Sequence, residues 1–219
     1  TLSDINTIVF TSGSTGLPKG VVLSNLNVSA NMQSFFQSAM PRSDARIYGV
    51  LPFFHSFGYT VTVWFPLCHP YPCFYHYNPL DFKGVGEFSY KHKPELMVAT
   101  PTFMRGYLKK CPKEHFESAY FAVVGAEKSP KSLYDGWKEK FGIDLNEGYG
   151  ATELSPVLSL NIPFCDAPDT LTPYHKNFSI GLPSPNFVVK IVDLETGEEV
   201  PPNTPGMMIV KGNSVVDGY

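Results

Sequence analysis

A segment near the start of the chain combines hydroxyl groups, glycines and one lysine, a composition suited to holding phosphate. In order, its residues are Thr11, Ser12, Gly13, Ser14, Thr15, Gly16, Leu17, Pro18, Lys19 and Gly20. Glycines let backbone N–H groups converge on an anion, hydroxyls add donors, and Lys19 supplies a mobile positive charge. The segment is not a Walker A loop, in which the lysine follows a glycine directly and precedes Ser or Thr. A flexible Ser/Gly surface linker is the alternative, but Pro18 and the strand-like flanks favour a triphosphate site.

A second glycine-rich segment, residues 148–153, offers complementary chemistry. Tyr149 has a flat face for a purine, Thr152 a hydroxyl for a phosphate, and Glu153 a hard oxygen ligand for magnesium. A Walker A loop has a magnesium-binding Ser or Thr directly after its lysine, and the first segment has none at that position. Glu153 would take over this role. Taken alone, these six residues fit a glycine-rich turn with a core tyrosine as well as they fit a nucleotide site.

Two shorter segments have weaker individual signals. Gly125, Ala126 and Glu127 follow the apolar run 119–124, where a doubly wound sheet places its ligand crevice. A plain strand-to-helix turn is the alternative there. His55 lies among aromatic residues, where a lone histidine is more often a core or capping residue.

These segments together resemble, in the same order, those of the adenylate-forming superfamily, which includes acyl-CoA synthetases, luciferases and peptide-synthetase adenylation domains. Residues 11–20 resemble its phosphate loop, and residues 148–153 its Tyr-Gly-x-Thr-Glu motif. The resemblance implies that Tyr149 lies against adenine, Thr152 contacts the α-phosphate and Glu153 binds Mg²⁺.

The same resemblance assigns roles to the remaining candidates. It places the backbone of residues 125–127 on the other face of adenine and beside the acyl pocket, Asn146 at the adenine edge, and His55 beside the reacting carboxylate and phosphate. The predicted catalytic residues are Lys19, His55, Thr152 and Glu153, with Glu153 as the metal ligand. The predicted nucleotide-binding residues are Thr11, Ser12, Gly13, Ser14, Thr15, Gly16, Lys19, Gly125, Ala126, Glu127, Asn146, Gly148, Tyr149, Gly150, Ala151 and Thr152.

The activity implied by the resemblance is a two-step ligation that uses ATP and Mg²⁺. A fatty carboxylate becomes an acyl-adenylate with release of pyrophosphate, and the acyl group then passes to the thiol of CoA or acyl carrier protein. The sequences of residues 124–128, 147–153 and 212–219 most resemble those of bacterial acyl-[acyl carrier protein] synthetase/2-acylglycerophosphoethanolamine acyltransferase proteins. This resemblance implies that the substrate is a long-chain fatty acid. Another aryl- or acid–CoA ligase of the superfamily, or a non-catalytic nucleotide-binding module, remains the alternative.

The elements that must position these residues alternate between apolar strands and helices. Strands are predicted over 47–51, 73–77, 96–99, 120–124 and 143–145, and helices over 57–67, 81–90, from 101, and over 130–141. The pattern predicts an α/β fold with a mostly parallel layered sheet flanked by helices. Strands over 188–192 and 207–210 predict a small antiparallel β segment, a partial barrel.

The predicted organisation has three parts. A phosphate-loop segment and its following helix cover 1–46, with strands over 7–10 and 21–23 and Ser24 as the helix N-cap. An α/β subdomain with the adenine-binding motifs covers 47–177, and a truncated barrel-like segment covers 178–219. We expect a fragment of a larger enzyme, because the chain begins without Met and the resemblance implies a ribose-binding Asp and a C-terminal domain that are absent here. Such a fragment would bind ATP weakly and turn over poorly alone.

Composition narrows the function classes. With 43% apolar residues, 17% charged residues and a net charge of -3, the chain is of ordinary globular type and has no basic stripe that favours nucleic acid. Its four cysteines lack metal-ligand spacing and are typical of reduced thiols in the cytoplasm. The apolar run 57–68 is too short to span a bilayer and predicts a buried helix. We therefore expect a cytoplasmic protein, with at most a peripheral association of the full-length protein at the inner membrane.

Overall fold

The structure is a computed structural model that describes residues 1–11, 17–39, 41–162, 176 and 178–219. Five predicted phosphate-loop residues therefore lie outside the described residues, namely Ser12, Gly13, Ser14, Thr15 and Gly16. The other predicted site residues are all described.

The chain alternates strands and helices over most of its described length. The strands are β1 (Ile5–Thr11), β2 (Lys19–Ser24), β3 (Ile47–Gly49), β4 (Cys73–Tyr75), β5 (Leu96–Ala99), β6 (Phe121–Val124), β7 (Leu145–Gly150), β8 (Val157–Leu160), β9 (Leu182–Pro183), β10 (Phe187–Val192) and β11 (Met207–Gly212). The α-helices are α1 (Asn25–Ala39), α2 (Phe65–Cys68), α3 (Phe82–His92), α4 (Pro101–Lys110) and α5 (Lys131–Phe141). A π-helix spans Gly58–Trp64, and 3-10 turns span Lys113–Phe116 and Thr152–Leu154.

The largest sheet confirms the predicted α/β class. Within the described residues it has seven strands in the order β4-β3-β5-β6-β7-β8-β9. The pairs from β4 to β7 are parallel, and β7-β8 and β8-β9 are antiparallel. Parallel strands need covered faces, and this sheet has a hydrophobic cluster on each side.

The alternation of side chains in β5 shows how one strand contributes to both clusters. Leu96 and Val98 pack into the cluster that contains α1, whereas Met97 and Ala99 pack into the cluster under α3, α4 and α5. All four side chains are inaccessible to solvent. A continuous apolar run is therefore what both faces of the sheet require.

Two predicted elements differ from the structure. The short strand predicted over 143–145 was wrong in extent, because β7 continues to Gly150 and pairs with both β6 and β8. Backbone hydrogen bonds to β8 hold residues 148–150 in an extended conformation despite the low strand preference of glycine. The helix predicted over 57–67 is π-helical in its first part, where the Thr62 hydroxyl donates to the Gly58 carbonyl at 2.7 Å.

Antiparallel hairpins lie at both ends of the chain. β1 and β2 pair from Ile5 to Thr11, and Ser24 then caps α1 as predicted. The Ser24 hydroxyl accepts a hydrogen bond from the Asn27 N–H at 3.2 Å, and the Asn27 Oδ1 accepts one from the Ser24 N–H at 2.9 Å. β10 and β11 pair as the predicted antiparallel segment and form a second hairpin, whereas β9, also within 178–219, joins the large sheet. Among the described helices, none combines the length and apolar character that crossing a membrane requires.

Candidate active site

Several of the predicted site residues gather at one edge of the large sheet. His55 follows β3, Gly125 and Ala126 follow β6, and Thr152 follows β7. These three strands run parallel, so their carboxyl ends meet at the same edge. The topology thus brings together residues from three separate segments of the sequence.

These segments line an open cavity with about 630 Å³ of empty space, part of which is bulk solvent. Its apolar wall consists of Phe35, Phe57, Val123, Pro156, Val157 and Leu160. His55, Ser56 and Thr152 contribute polar side chains to the same lining. Among the described residues that line the cavity, none is Asp, Glu, Lys or Arg. Such a cavity suits a ligand with an apolar body and a small polar end.

The environment of His55 defines its protonation state. Its Nδ1 accepts a hydrogen bond from the backbone N–H of Phe57 at 3.2 Å. Part of the ring stays exposed, but the protein crowding its other side lowers the pKa of His55 from its ordinary value of 6.5 through desolvation. The neutral ring therefore carries its proton on Nε2 and can donate from that atom.

We expect the His55 imidazole to be neutral, with its proton on Nε2, throughout the range from pH 7 to 8, above its ordinary pKa of 6.5. The folded state disfavours the charged ring. The contribution of His55 to the free energy of unfolding is therefore fully present above pH 6.5, and it is lost as the pH falls through the lowered pKa of the folded state. Long-range ¹H–¹⁵N NMR of the ring nitrogens measures both the tautomer and the titration. A pKa above 6.5, or a proton on Nδ1, would contradict this assignment.

Ser56 and Thr152 form a hydrogen-bonded pair at the cavity wall. The Ser56 Oγ and Thr152 Oγ1 are 3.1 Å apart, and both side chains are buried. When Ser56 donates in this pair, the Thr152 proton is left for a ligand oxygen. Sequence reasoning missed Ser56, although its position next to His55 was a signal.

Tyr149 lies between the first cavity and a second space of about 920 Å³. Its side chain is 39% exposed, so a ring face is available for stacking. Glu127, Lys128 and Glu147 line the second space, which suits a polar ligand. The placement of Tyr149 agrees with its predicted contact with adenine, which stays a prediction.

Glycine is required where the chain approaches itself closely in this wall. A Cβ atom on Gly150 would lie 2.1 Å from the Pro156 carbonyl oxygen. On the neighbouring turn, a Cβ atom on Gly125 would lie 2.9 Å from the Gly148 oxygen. Ala126 then adopts a left-handed backbone conformation, with φ at 69°, which is costly for an L residue. Together, Gly125 and Ala126 redirect the chain between the two cavities.

Two predicted nucleotide ligands are already engaged with protein groups. Glu127 is exposed, and its Oε2 accepts a hydrogen bond from the Thr102 hydroxyl at 2.8 Å. Asn146 is buried, and its Nδ2 donates to the Ala122 carbonyl at 3.3 Å and the Asp144 carbonyl at 3.2 Å. Its Oδ1 has no partner in the described part of the chain. Asn146 lines neither cavity, so its contact with the adenine edge stays a prediction.

The predicted phosphate lysine and metal ligand lie on two sides of Tyr219. The Tyr219 hydroxyl donates to the Glu153 Oε1 at 3.0 Å, and the Lys19 Nζ lies 4.5 Å from the Tyr219 ring centroid. Thr11 pairs with Lys19 in the first hairpin, so both lie where the predicted phosphate loop begins and ends. Sequence reasoning did not assign a role to Tyr219.

Glu153 is suited to Mg²⁺. It is half-buried, and within the described residues its Oε2 makes no hydrogen bond. No group of three or more His, Cys, Asp or Glu side chains is arranged to hold a metal ion among those residues. A single carboxylate fits Mg²⁺, which proteins usually bind through one or two carboxylates together with substrate phosphates and water.

Asn31 on α1 holds the turn that carries Thr152 and Glu153. Its Nδ2 donates to the Leu154 carbonyl at 3.0 Å and to the Val157 carbonyl at 2.9 Å. Its Oδ1 accepts a hydrogen bond from the Val157 N–H at 3.2 Å. One buried side chain thereby fixes three backbone groups of the turn and of β8.

Comparison with protein families confirms the resemblance to the adenylate-forming superfamily. A family model described as AMP-binding enzyme matches residues 1–219, the full chain. The chain therefore belongs to the AMP-binding enzyme family.

Similar proteins are acid–CoA ligases. A long-chain-fatty-acid–CoA ligase of Bacillus subtilis is 31% identical over 222 residues, which cover 99% of this chain and 38% of that protein. A 4-coumarate–CoA ligase-like 9 protein of Oryza sativa is 29% identical, over 99% of this chain and 40% of its own length. The crystal structure of ATP-bound MatB from Rhodopseudomonas palustris is 25% identical with a TM-score of 0.80, over 100% of this chain and 42% of that one. The chain thus spans about two fifths of the length of these relatives.

Proposed function

We propose that the protein containing this chain activates a carboxylic acid with ATP and then transfers the acyl group to a thiol. The observation that carries the proposal is the apolar cavity with His55 and Thr152 in its lining, beside the half-exposed ring of Tyr149. The arrangement has three separate surfaces: the apolar wall for the body of the acid, His55 and Thr152 for the reacting groups, and the Tyr149 ring for a purine. The similarity to acid–CoA ligases and to an ATP-bound structure supports the same reaction.

The proposed acid is a long-chain fatty acid. The cavity lining has no charged Asp, Glu, Lys or Arg side chain within the described residues, so a second charge on the acid would be left unpaired. The similarity to the fatty-acid ligase of Bacillus subtilis supports this substrate. An aryl acid is the second candidate, because Phe35 and Phe57 line the cavity and 4-coumarate–CoA ligases are also relatives.

In the first step, a carboxylate oxygen of the acid forms a bond to the α-phosphorus of ATP, and the bond from that phosphorus to pyrophosphate breaks. Lys19 binds the β- and γ-phosphates of the leaving pyrophosphate. His55 donates from Nε2 to the carboxylate or the charge growing on phosphate, and Thr152 donates to an α-phosphate oxygen. Catalysis then rests on neutralising two repelling anions and aligning them.

Glu153 would hold Mg²⁺, which supplies positive charge to the phosphates during this step. In the second step, a thiolate attacks the acyl carbon and AMP leaves. We propose CoA as the acceptor on the strength of the relatives' names. The resemblance of residues 124–128, 147–153 and 212–219 to acyl-[acyl carrier protein] synthetases leaves acyl carrier protein as the alternative acceptor. The proposed location is the cytoplasm, with at most a peripheral association of the full-length protein at the inner membrane.

The proposal predicts ATP–pyrophosphate exchange that depends on an added apolar acid. We expect the full-length protein to exchange with palmitate and to show no exchange with succinate, whose second carboxylate finds no cation in the cavity lining. Incorporation of labelled pyrophosphate into ATP measures the rate. Exchange with 4-coumarate and not palmitate would establish the aryl alternative. ATP binding without exchange for any acid would show a non-catalytic nucleotide module.

A further inference from the structure

We propose that Tyr219 is a positioning residue that holds Glu153 and Lys19 ready for a metal–nucleotide complex. This inference rests on the proposed function, because it assigns Glu153 to Mg²⁺ and Lys19 to phosphate. Tyr219 itself touches neither reacting atom in the proposed mechanism. Its effect passes through the two charged side chains that it contacts.

The three side chains come from distant parts of the sequence. Lys19 begins β2, Glu153 follows β7, and Tyr219 follows β11. Although 65% exposed, the Tyr219 side chain makes two directional contacts, through its hydroxyl to Glu153 and through its ring face to Lys19. One phenol therefore links the proposed metal ligand to the proposed phosphate-binding cation.

The chemistry of a phenol suits this role. A direct ion pair between Lys19 and Glu153 would neutralise both groups, and a nucleotide with its metal would have to break that pair. The neutral hydroxyl donates to one carboxylate oxygen and leaves the negative charge in place. The ring face attracts the ammonium group through its quadrupole and brings no charge of its own. Each group is thus held in place with its charge available.

The chain before Tyr219 is fastened to the turn that carries Glu153. The Val216 N–H donates to the Glu153 carbonyl oxygen at 3.0 Å. The Ser155 hydroxyl donates to the Ser214 carbonyl oxygen at 2.8 Å, and both of these residues are buried. These contacts bring residues 214–216 against the same turn, so that the Tyr219 side chain can reach Glu153.

The test separates the two contacts of Tyr219 in the full-length protein. Tyr219→Phe removes the hydroxyl and keeps the ring, whereas Tyr219→Leu removes both contacts and keeps apolar volume. Mn²⁺, as a paramagnetic substitute for Mg²⁺, is titrated with ATP and followed by electron paramagnetic resonance. We expect Tyr219→Phe to weaken Mn²⁺ uptake about fivefold, because a hydrogen bond to a charged group at a partly exposed position is lost. With ATP at a saturating concentration, so that its own affinity does not limit uptake, we expect Tyr219→Leu to weaken Mn²⁺ uptake by the same factor.

The affinity for ATP without metal reports on the contact with Lys19. It should stay unchanged in Tyr219→Phe and fall about threefold in Tyr219→Leu, the size of an exposed cation–π contact. Tyr77 is 92% exposed, and Tyr77→Phe and Tyr77→Leu are the matched controls, which should leave both affinities unchanged.

Unchanged Mn²⁺ uptake in Tyr219→Phe would overturn the positioning role, and so would equal ATP affinity in the Phe and Leu variants. Wild-type protein that takes up no Mn²⁺ with ATP would overturn both this inference and the assignment of Glu153. The exchange assay is independent of this titration. Acid-dependent exchange together with unaltered variants would therefore refute the role of Tyr219 and leave the proposed function standing.

Discussion

Replacing Glu153 by alanine is expected to slow acid-dependent ATP–pyrophosphate exchange about 10²–10³-fold, the usual cost of removing one charge-stabilising group from an active site. The carboxylate of the acid and the triphosphate repel each other, so the reaction depends on positive charge near the phosphates. Glu153 is the proposed ligand of the Mg²⁺ that supplies this charge, and the described residues contain no cluster of metal-ligating side chains that could replace it. The loss should appear mainly in kcat, because the purine and acid surfaces remain.

The variant Glu153→Gln separates charge from shape. The amide keeps an oxygen that can accept from Tyr219, but it lacks the negative charge that makes a carboxylate the stronger ligand for Mg²⁺. We expect Glu153→Gln to lose nearly as much exchange activity as Glu153→Ala, and we expect its exchange rate to depend less on the Mg²⁺ concentration. Glu195→Ala, in the exposed turn between β10 and β11, is the control and should retain the wild-type rate. Full activity in Glu153→Gln would refute the metal-ligand role.

The elements whose signals are local could be predicted from the sequence. β5 spans Leu96–Ala99 as predicted, because four consecutive apolar residues satisfy both faces of a parallel sheet. The helix predicted from Pro101 begins there, since proline suits the first helical turn and the Thr100 hydroxyl accepts from the Phe103 N–H at 3.4 Å. Both features depend only on residues next to one another.

The extent of β7 could not be predicted in the same way. Gly148, Tyr149 and Gly150 have the composition of a turn, and glycine disfavours strands. They are extended because they pair with β8, whose residues follow only after the turn at 151–156. A strand that depends on a non-local partner leaves little trace in its own composition.

The candidate site likewise contains residues that could be predicted from the sequence and residues that could not. Its motif residues Lys19, His55, Thr152 and Glu153 could be selected from the sequence, because hydroxyl, imidazole and carboxylate groups in recognisable motifs indicate chemistry. Their supporting contacts could not, because Asn31 and Tyr219 reach the site only through tertiary packing. A polar residue in the middle of a helix, such as Asn31, is equally compatible with a surface position.

The largest expected effect on stability comes from Asn31→Ala. Asn31 is buried, and its loss would leave the Leu154 carbonyl, the Val157 carbonyl and the Val157 N–H without that partner. Each buried polar group left unsatisfied costs about 1–3 kcal/mol, so we expect the free energy of unfolding to fall by roughly 3 kcal/mol. Urea unfolding followed by circular dichroism measures this change through the transition midpoint.

Asn31→Asp tests whether hydrogen bonding or volume determines the effect. The aspartate has nearly the same size and still accepts from the Val157 N–H, but it presents a carboxylate to two carbonyl oxygens. It should therefore destabilise at least as much as alanine, because a buried charge without a partner is strongly disfavoured. Gln33→Ala removes an exposed amide from the same helix and should change stability by less than about 0.5 kcal/mol. If Asn31→Ala matches Gln33→Ala, the turn bearing Thr152 and Glu153 is held by other contacts, and Asn31 is not its anchor.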